Sequence, residues 1–526
     1  MLSHVLRKFV PWRLPEPVKR VHSGKMIWYV LPAGLELLGE GGPDWEGWPT
    51  TTIKQNLQRT ILRAELPGGA VFIKRCRVNT PRAWVREMVR PAKARLEFEN
   101  ALALRALGID CIEPLAWGIR RGMMPSESII VTREQPNATL LENVLQTDMP
   151  LNIRRELTRS FAVFLAKMHN AGVTHPDPHP GNFLVEMGPI TKFALLDVHG
   201  VHFGKPLSWR AASANLVLLN RWFQLRCERT DRARFWKAYS GERSGLNDAQ
   251  ALEVEVATND SNREFWAARD ARYLGNNRQF RKFKRGHAVK ELPATDLAAL
   301  MSQPNGRIVK NSASTTVTEV ECDGHAMIVK RFKLKKRFAL LANRFRHSPA
   351  RRSWLNGHHL HDRQIPTARP LAYSYRTMFG IEAEGFVAFE KVPEACDLIE
   401  AVDRGFADVE RIAKLLRTMH DRDVRHRDLK ATNILISRGE PVLIDLVGVT
   451  VRGRVSEAAR QADLSRLAVS FLHNPKVSHA DRLRFLRAYL YWAPKSWGNW
   501  KVWWKQITQL AVEKVARNRR TGRPLT

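Results

Sequence analysis

Apolar residues recur at helical spacing in two distant parts of the chain. Leu157, Phe161, Phe164, Leu165 and Met168 fall at i, i+4, i+7, i+8 and i+11, and Val409, Ile412, Ala413, Leu416 and Met419 form a similar stripe. Each predicts an amphipathic helix with one buried face, ending in Met-His. Ahead of the first lie strand-like runs at Thr52–Ile53 and Thr60–Leu66, the turn Pro67-Gly68-Gly69 and a return strand ending at Lys74. A helix follows through Leu96, Ala103, Leu104 and Leu107, stopped by Gly108. The second region repeats the order: a strand over Val317–Glu321, the turn Asp323-Gly324, a strand to Lys330 and a helix from Ala350. After each amphipathic helix an apolar strand ends in an acid, at Asp197 and at Asp445.

Subtraction shows that the two regions are copies. Met419 minus Met168 is 251 and Lys330 minus Lys74 is 256, while Asp445 minus Asp197 is 248. A period this long marks a duplicated domain, since solenoid repeats are some tens of residues. The reading places domain 1 at residues 24–285, a linker at 286–306 marked by Pro293, Pro304 and Gly306, and domain 2 at 307–526. The basic and aromatic run 278–285 is expected to close the first domain on its surface.

Composition fits two soluble cores. The chain has 526 residues, 44% of them hydrophobic, enough for two domains of about 250 residues. Five scattered cysteines without C-x-x-C spacing argue against a disulfide framework or zinc site and point to a reducing compartment. No signal peptide or spanning segment is evident, so a cytoplasmic protein is expected.

Charge changes that picture. Lys and Arg outnumber Asp and Glu by 85 to 52, giving +33, which calls for a polyanionic partner. Ten basic residues and no acid lie between Lys330 and Arg352, and eight against Glu87 alone between Lys74 and Arg95. A third run, Lys495 to Arg523, carries eight against Glu513. Such runs are ordinarily solvated helix faces, yet two occupy the same place in both copies. At about 1 kcal/mol per nearby Lys or Arg, one run would hold the protein peripherally on an anionic membrane. Trp497, Trp500 and Trp504 share one face of the last helix, fitting either an interfacial anchor or a helix packed on its own domain.

The candidate chemistry sits between helix and acidic strand. His175 to Asn182 and His426 to Asn433 both read H-x-D-x-x-x-x-N, each followed by its strand and Asp197 or Asp445. That order is the phosphoryl-transfer machinery of kinase-like folds. Lys74 and Lys330 are expected to bind the phosphates of ATP. Asp197 and Asp445, helped by Asn182 and Asn433, form an oxygen site suited to Mg2+. Asp177 and Asp428 would accept the proton of the attacking hydroxyl. His175 and His426 are expected to brace backbone rather than react. Neither copy has a G-x-G-x-x-G loop, leaving Lys54-Gln55-Asn56 and Lys310-Asn311-Ser312 as candidate phosphate covers.

With these residues in hand, the chain resembles the lipopolysaccharide core kinase (Kdo/WaaP) family of the protein-kinase-like superfamily. The likeness is carried by Phe72-Ile73-Lys74-Arg75, by the helix from Glu97 to Gly108 and by the first loop. In the second copy it is carried by Ile328 to Phe332, by Ala350 to Trp354 and by His426-Arg427-Asp428. The resemblance implies an α+β fold of two tandem bilobal protein-kinase-like domains, each with a small β-rich and a larger helical lobe. It implies transfer of the ATP γ-phosphate to a heptose or Kdo hydroxyl of a lipopolysaccharide precursor or other anionic glycolipid, with no nucleic acid partner. Glu97 would hold Lys74, but Ser353 stands at that place in the second copy. A later family aspartate appears as Asp463, with Asn215 in the first copy, and Pro176 replaces the arginine supplied by Arg427. Two alternatives follow: a protein Ser/Thr kinase, disfavoured by the short stretches after Asp197 and Asp445, and one active domain with a pseudokinase scaffold.

Overall fold

The computed structural model describes residues 17–120, 122, 126–292, 301, 306–322, 324–333, 347–451, 453–491 and 493–521. It is a mixed α+β structure that separates into two compact units, with the boundary between Asn262 and Arg263.

The first unit opens with seven strands: β1 Lys19–Ser23, β2 Met26–Val30, β3 Thr50–Gln55, β4 Arg59–Leu66, β5 Gly69–Arg77, β6 Glu113–Arg120 and β7 Glu127–Arg133. They form one sheet in the order β1-β2-β6-β7-β5-β4-β3. Alternation sends Val71 and Ile73 of β5 into an apolar cluster with Trp28, Val30, Ala64 and Val131, while Lys74 takes the opposite face. Helix α1, Lys93–Ala106, packs on that face through β5, β6 and β7. Helix α2, Leu151–Asn170, leads into the loop, and the strands β8 Ala138–Leu140, β9 Phe183–Glu186 and β10 Lys192–Leu195 form a small sheet behind it. The predicted stripe of α2 is buried, with Phe161 packed edge-on to Phe183. Helices α3 Trp209–Arg226 and α4 Arg229–Gly241 complete the helical part used below.

The second unit repeats the sheet with strands β11 Phe280–Phe283, β12 Gly286–Val289, β13 Arg307–Asn311, β14 Thr315–Cys322, β15 His325–Phe332, β16 Pro370–Met378 and β17 Ile381–Glu390. Their order, β11-β12-β16-β17-β15-β14-β13, matches the first sheet position by position. Even the irregularities match, since a bulge interrupts β3 between Thr52 and Lys54 and β13 between Ile308 and Lys310. Helices α5 Pro349–Asp362, α6 Val409–Asp421, α7 Glu457–Ser470, α8 His479–Leu490 and α9 Trp500–Arg520 follow, with a small sheet of β18 Ala395–Asp397, β19 Ile434–Ser437 and β20 Glu440–Leu443.

One expectation shifts here. The run at 278–285, read as a closing surface of the first domain, supplies β11, which pairs with β12 across the start of the expected linker. Its alternation of aromatic and basic residues is a strand pattern, with Phe280 buried in the second unit's core. Most of the remaining linker lies outside the described residues. So does most of the basic run from Lys330 to Arg352. The C-terminal tryptophans pack against their own unit: Trp503 is fully buried, stacks on Trp497 and donates its indole N–H to the Trp497 carbonyl. Trp492 lies outside the described residues. No helix among the described residues is long and apolar enough to cross a membrane.

Candidate phosphoryl-transfer site

In the first unit the predicted lysine, glutamate and strand-end aspartate come together. Lys74 Nζ donates to both Glu97 oxygens at 2.8 and 2.6 Å and to Asp197 Oδ1 at 2.7 Å. Glu97 is buried in α1, and no sequence spacing showed its contact directly. His199 Nδ1 lies 2.8 Å from Asp197 Oδ1, and Arg59 Nη2 donates to Oδ2 at 3.2 Å. Burial pulls the Lys74 ammonium down, but Glu97 and Asp197 outweigh it and hold the lysine above its usual range. Burial pushes the Asp197 carboxyl up, yet the bonds from His199, Lys74 and Arg59 keep it well below the carboxylate range. Asp197 takes a left-handed backbone (φ 52°, ψ 44°), which aspartate tolerates better than most residues.

The loop carrying Asp177 is bound to the same turn. His175 bridges them: its Nδ1 accepts from the Asp177 amide at 3.1 Å, and Nε2 donates to the Leu196 carbonyl at 3.1 Å. The Asn182 carbonyl accepts from Leu196 N–H at 2.9 Å, and its side-chain amide donates to the Asp177 carbonyl at 2.9 Å. Both loop histidines therefore brace backbone, as the sequence reading expects, since His426 Nε2 does the same to Ile444 at 3.0 Å.

The second unit keeps a reduced version. Lys330 Nζ donates to Asp445 Oδ1 at 2.6 Å and lies 5.3 Å from the Phe332 ring centroid. Ser353 turns back to bond Pro349 within its own helix at 3.0 Å and does not replace the glutamate. Asp445 repeats the left-handed backbone (φ 57°, ψ 62°). Asn433 donates to the Asp428 carbonyl at 2.8 Å and accepts from Ile444 N–H at 3.0 Å.

These residues fit a magnesium ion. Asn182 and Asn433 spend their amide N–H groups on the loop and keep their amide oxygens, which with Asp197 and Asp445 make hard oxygen donors. Glu97, Asp197 and His199 also offer atoms within 4.8 Å of one another, but Lys74 already holds both Glu97 oxygens.

Several supporting residues escaped the sequence reading. Asn100 of α1 donates to the Val198 carbonyl at 2.9 Å, and Asn356 of α5 donates to Leu446 at 2.8 Å. Their separation, 256, equals that of the two lysines, a signal that could have found them. The candidate cover loops are the tight turns between β3 and β4 and between β13 and β14. Asn56 Oδ1 accepts from Arg59 N–H at 2.7 Å, and Ser312 Oγ accepts from Thr315 N–H at 3.1 Å.

The Asn215 departure is compensated. His169 and His420, both fully buried, each bond a tyrosine hydroxyl through Nδ1 at 2.7 Å, Tyr239 and Tyr489 respectively. Asn215 bonds His169 Nε2 at 3.1 Å and donates to the His175 carbonyl at 2.7 Å. Asp463 lies 3.6 Å from His420 Nε2 and also takes Arg425 at 3.1 Å and Arg466 at 2.9 Å. Thr174 stands where Arg425 does, so the neutral amide goes with a neutral loop residue and the carboxylate with a charged one.

Burial lowers the His169 imidazole to about 4 and depresses His420 as well. The unfolded chain takes up these protons near pH 6.5, so stability is full above that pH and is lost as pH falls toward 4. We expect melting of the full chain to drop through this window, with His169→Gln reducing the slope by about one proton, up to about tenfold in equilibrium constant per pH unit.

Two apolar cavities, of about 940 and 730 Å³, lie in the helical parts, lined for example by Phe161, Phe223 and Trp236 and by Phe471, Phe485 and Ile507. Neither is lined by any of these polar residues.

Comparison with known proteins now bears on this geometry. The model of the Lipopolysaccharide kinase (Kdo/WaaP) family matches residues 72–239 and 266–489. The chain belongs to this family. The second matched segment begins close to the start of the second compact unit. Over 159 residues the chain is 27% identical to the lipopolysaccharide core heptose(I) kinase WaaP of Pseudomonas aeruginosa, covering 27% of this chain and 59% of that protein. It is 33% identical over 117 residues to the 3-deoxy-D-manno-octulosonic acid kinase of Vibrio cholerae serotype O1, covering 22% of this chain and 48% of that protein. These alignments thus span about half to three-fifths of each relative. A solved structure of WaaP in complex with acyl carrier protein aligns at 24% identity and a TM-score of 0.32, over 41% of this chain and 90% of that one.

Proposed function

We propose that this protein is an ATP-dependent kinase built from two tandem, bilobal protein-kinase-like halves, and that it phosphorylates a heptose or Kdo hydroxyl of the lipopolysaccharide inner core. The observation that carries the reading is the Lys74–Glu97–Asp197 cluster beside the Asp177 loop, repeated without the glutamate in the Lys330–Asp445 pair beside the Asp428 loop. Lys74 and Lys330 bind and orient the phosphates. Asp197 with Asn182, and Asp445 with Asn433, would hold Mg2+, which neutralises phosphate charge when bound. Asp177 and Asp428 accept the proton of the sugar hydroxyl. Family membership and the names of the two relatives support a core sugar as acceptor. The surplus of positive charge suits an anionic glycolipid and peripheral attachment at the inner membrane's cytoplasmic face.

A second reading has support in one observation. Ser353 leaves Lys330 without the acid that Glu97 gives Lys74, which suits a second half acting as a scaffold. Mass spectrometry of core oligosaccharide from a strain lacking the gene is expected to show one or two phosphates missing. One missing phosphate supports a single active half, two support both, and an unchanged core contradicts the proposal.

A further inference from the structure

Both oxygens of Asp197 are engaged. Oδ1 takes Lys74 and His199, while Oδ2 takes Arg59 at 3.2 Å. Arg59 is the first residue of β4, directly after the turn from β3, and pairs with Cys76, two residues past Lys74. In the second unit the equivalent position is Thr315, paired with Phe332, two residues past Lys330.

Three ionisable residues around the site are thus replaced together. Arg59, Glu97 and His199 become Thr315, Ser353 and Val447. Among the groups named here, Lys74 and Arg59 stand against Glu97 and Asp197 in the first unit, and Lys330 against Asp445 in the second. Asp445 keeps its Lys330 bond through Oδ1, and its side chain is 36% exposed against 23% for Asp197.

As a structural ion pair Arg59–Asp197 is weak evidence for stability, since both partners are largely buried and the cost of desolvating them offsets their attraction. Its position suggests another use. A guanidinium and a divalent cation cannot share one carboxylate oxygen without strong repulsion. A planar guanidinium also matches phosphate oxygens better than a single carboxylate oxygen. We propose that Arg59 holds Asp197 Oδ2 when no nucleotide is bound and passes its guanidinium to the terminal phosphates of ATP on binding. The first half then admits metal only together with nucleotide, whereas the second half, with Thr315, admits metal alone. This rests on the kinase reading above and adds a phosphate-contacting residue to one half only.

The test uses the full chain with the second site silenced by Lys330→Ala and Asp445→Asn. Free Mn2+ is followed by electron paramagnetic resonance, and a fluorescent ATP analogue with Mg2+ by anisotropy. Arg59→Gln is expected to bind Mn2+ alone about tenfold more tightly and the nucleotide about tenfold more weakly, the latter matching one lost charged hydrogen bond. Arg59→Lys, which keeps the charge but not the fork, should fall between. In the reciprocal background, Lys74→Ala with Asp197→Asn, Thr315→Arg should weaken Mn2+ binding and tighten nucleotide, which covers the case of a misfolded Arg59→Gln chain. Affinities within twofold of the parent for both probes, or moving in the same direction, overturn the inference while leaving the kinase reading intact. A parent that binds neither probe removes that reading and this inference with it.

Discussion

With Asp177 and Asp428 both replaced by asparagine, phosphoryl transfer is expected to fall at least about a hundredfold while ATP binding is kept. General-base catalysis of this kind contributes about 10²- to 10⁴-fold. Asparagine preserves the shape of each loop but cannot take the proton of the acceptor hydroxyl. The loops should keep their fold, because they are tied by backbone groups and by His175, Asn182, His426 and Asn433 rather than by the two carboxylates. A thermal shift with ATP and Mg2+ reports binding, and ADP release reports turnover. The single variants divide the activity between the halves: if Asp177→Asn alone abolishes it, the second half is a scaffold. Turnover that survives in the double variant rules out both assignments.

Replacing Glu97 by alanine is expected to destabilise the first unit by about 3 kcal/mol and to weaken nucleotide binding there. The change leaves Lys74 buried with one carboxylate that it already shares with Arg59 and His199, and removing one partner of a buried ion pair typically costs that much. A lysine no longer fixed from α1 also loses the geometry needed to meet phosphates. Denaturant unfolding of the full chain should show the transition of the first unit moving to lower denaturant. Ser353→Ala in the second unit is the control, because among the described residues the Ser353 hydroxyl bonds Pro349 of its own helix turn, and it should leave nucleotide affinity unchanged. Equal effects from the two substitutions would show that the Glu97 contact has no special role.

What could be read from the sequence was local or repeated. The α2 and α6 stripes, the H-x-D-x-x-x-x-N loops and the strand-end acids each lie within some 20 residues, where spacing alone fixes which side chains share a face. Duplication made these signals firmer, and Lys74, Glu97 and Asp197 do converge. Residues whose partners are remote in sequence were not legible. Arg59 meets Asp197 across 138 residues and Asn100 meets Val198 across 98, distances at which periodicity says nothing. The Asn215 departure looked like a lost part because its compensation by Thr174, in place of Arg425, is visible only once the two are side by side. The run at 278–285 misled because alternating aromatic and basic residues suit an exposed patch and an edge strand equally well. The tryptophans of α9 likewise share a face whichever surface that face meets.

The account turns on whether this chain moves phosphate onto a core sugar. Incubating the purified full chain with Mg2+, γ-labelled ATP and lipopolysaccharide stripped of core phosphate, then sequencing the product by mass spectrometry, addresses that directly. We predict label on a heptose or Kdo hydroxyl, lost when Asp197 and Asp445 are both changed to asparagine. Label on a protein side chain instead, or ATP hydrolysis with no labelled sugar, would contradict the account.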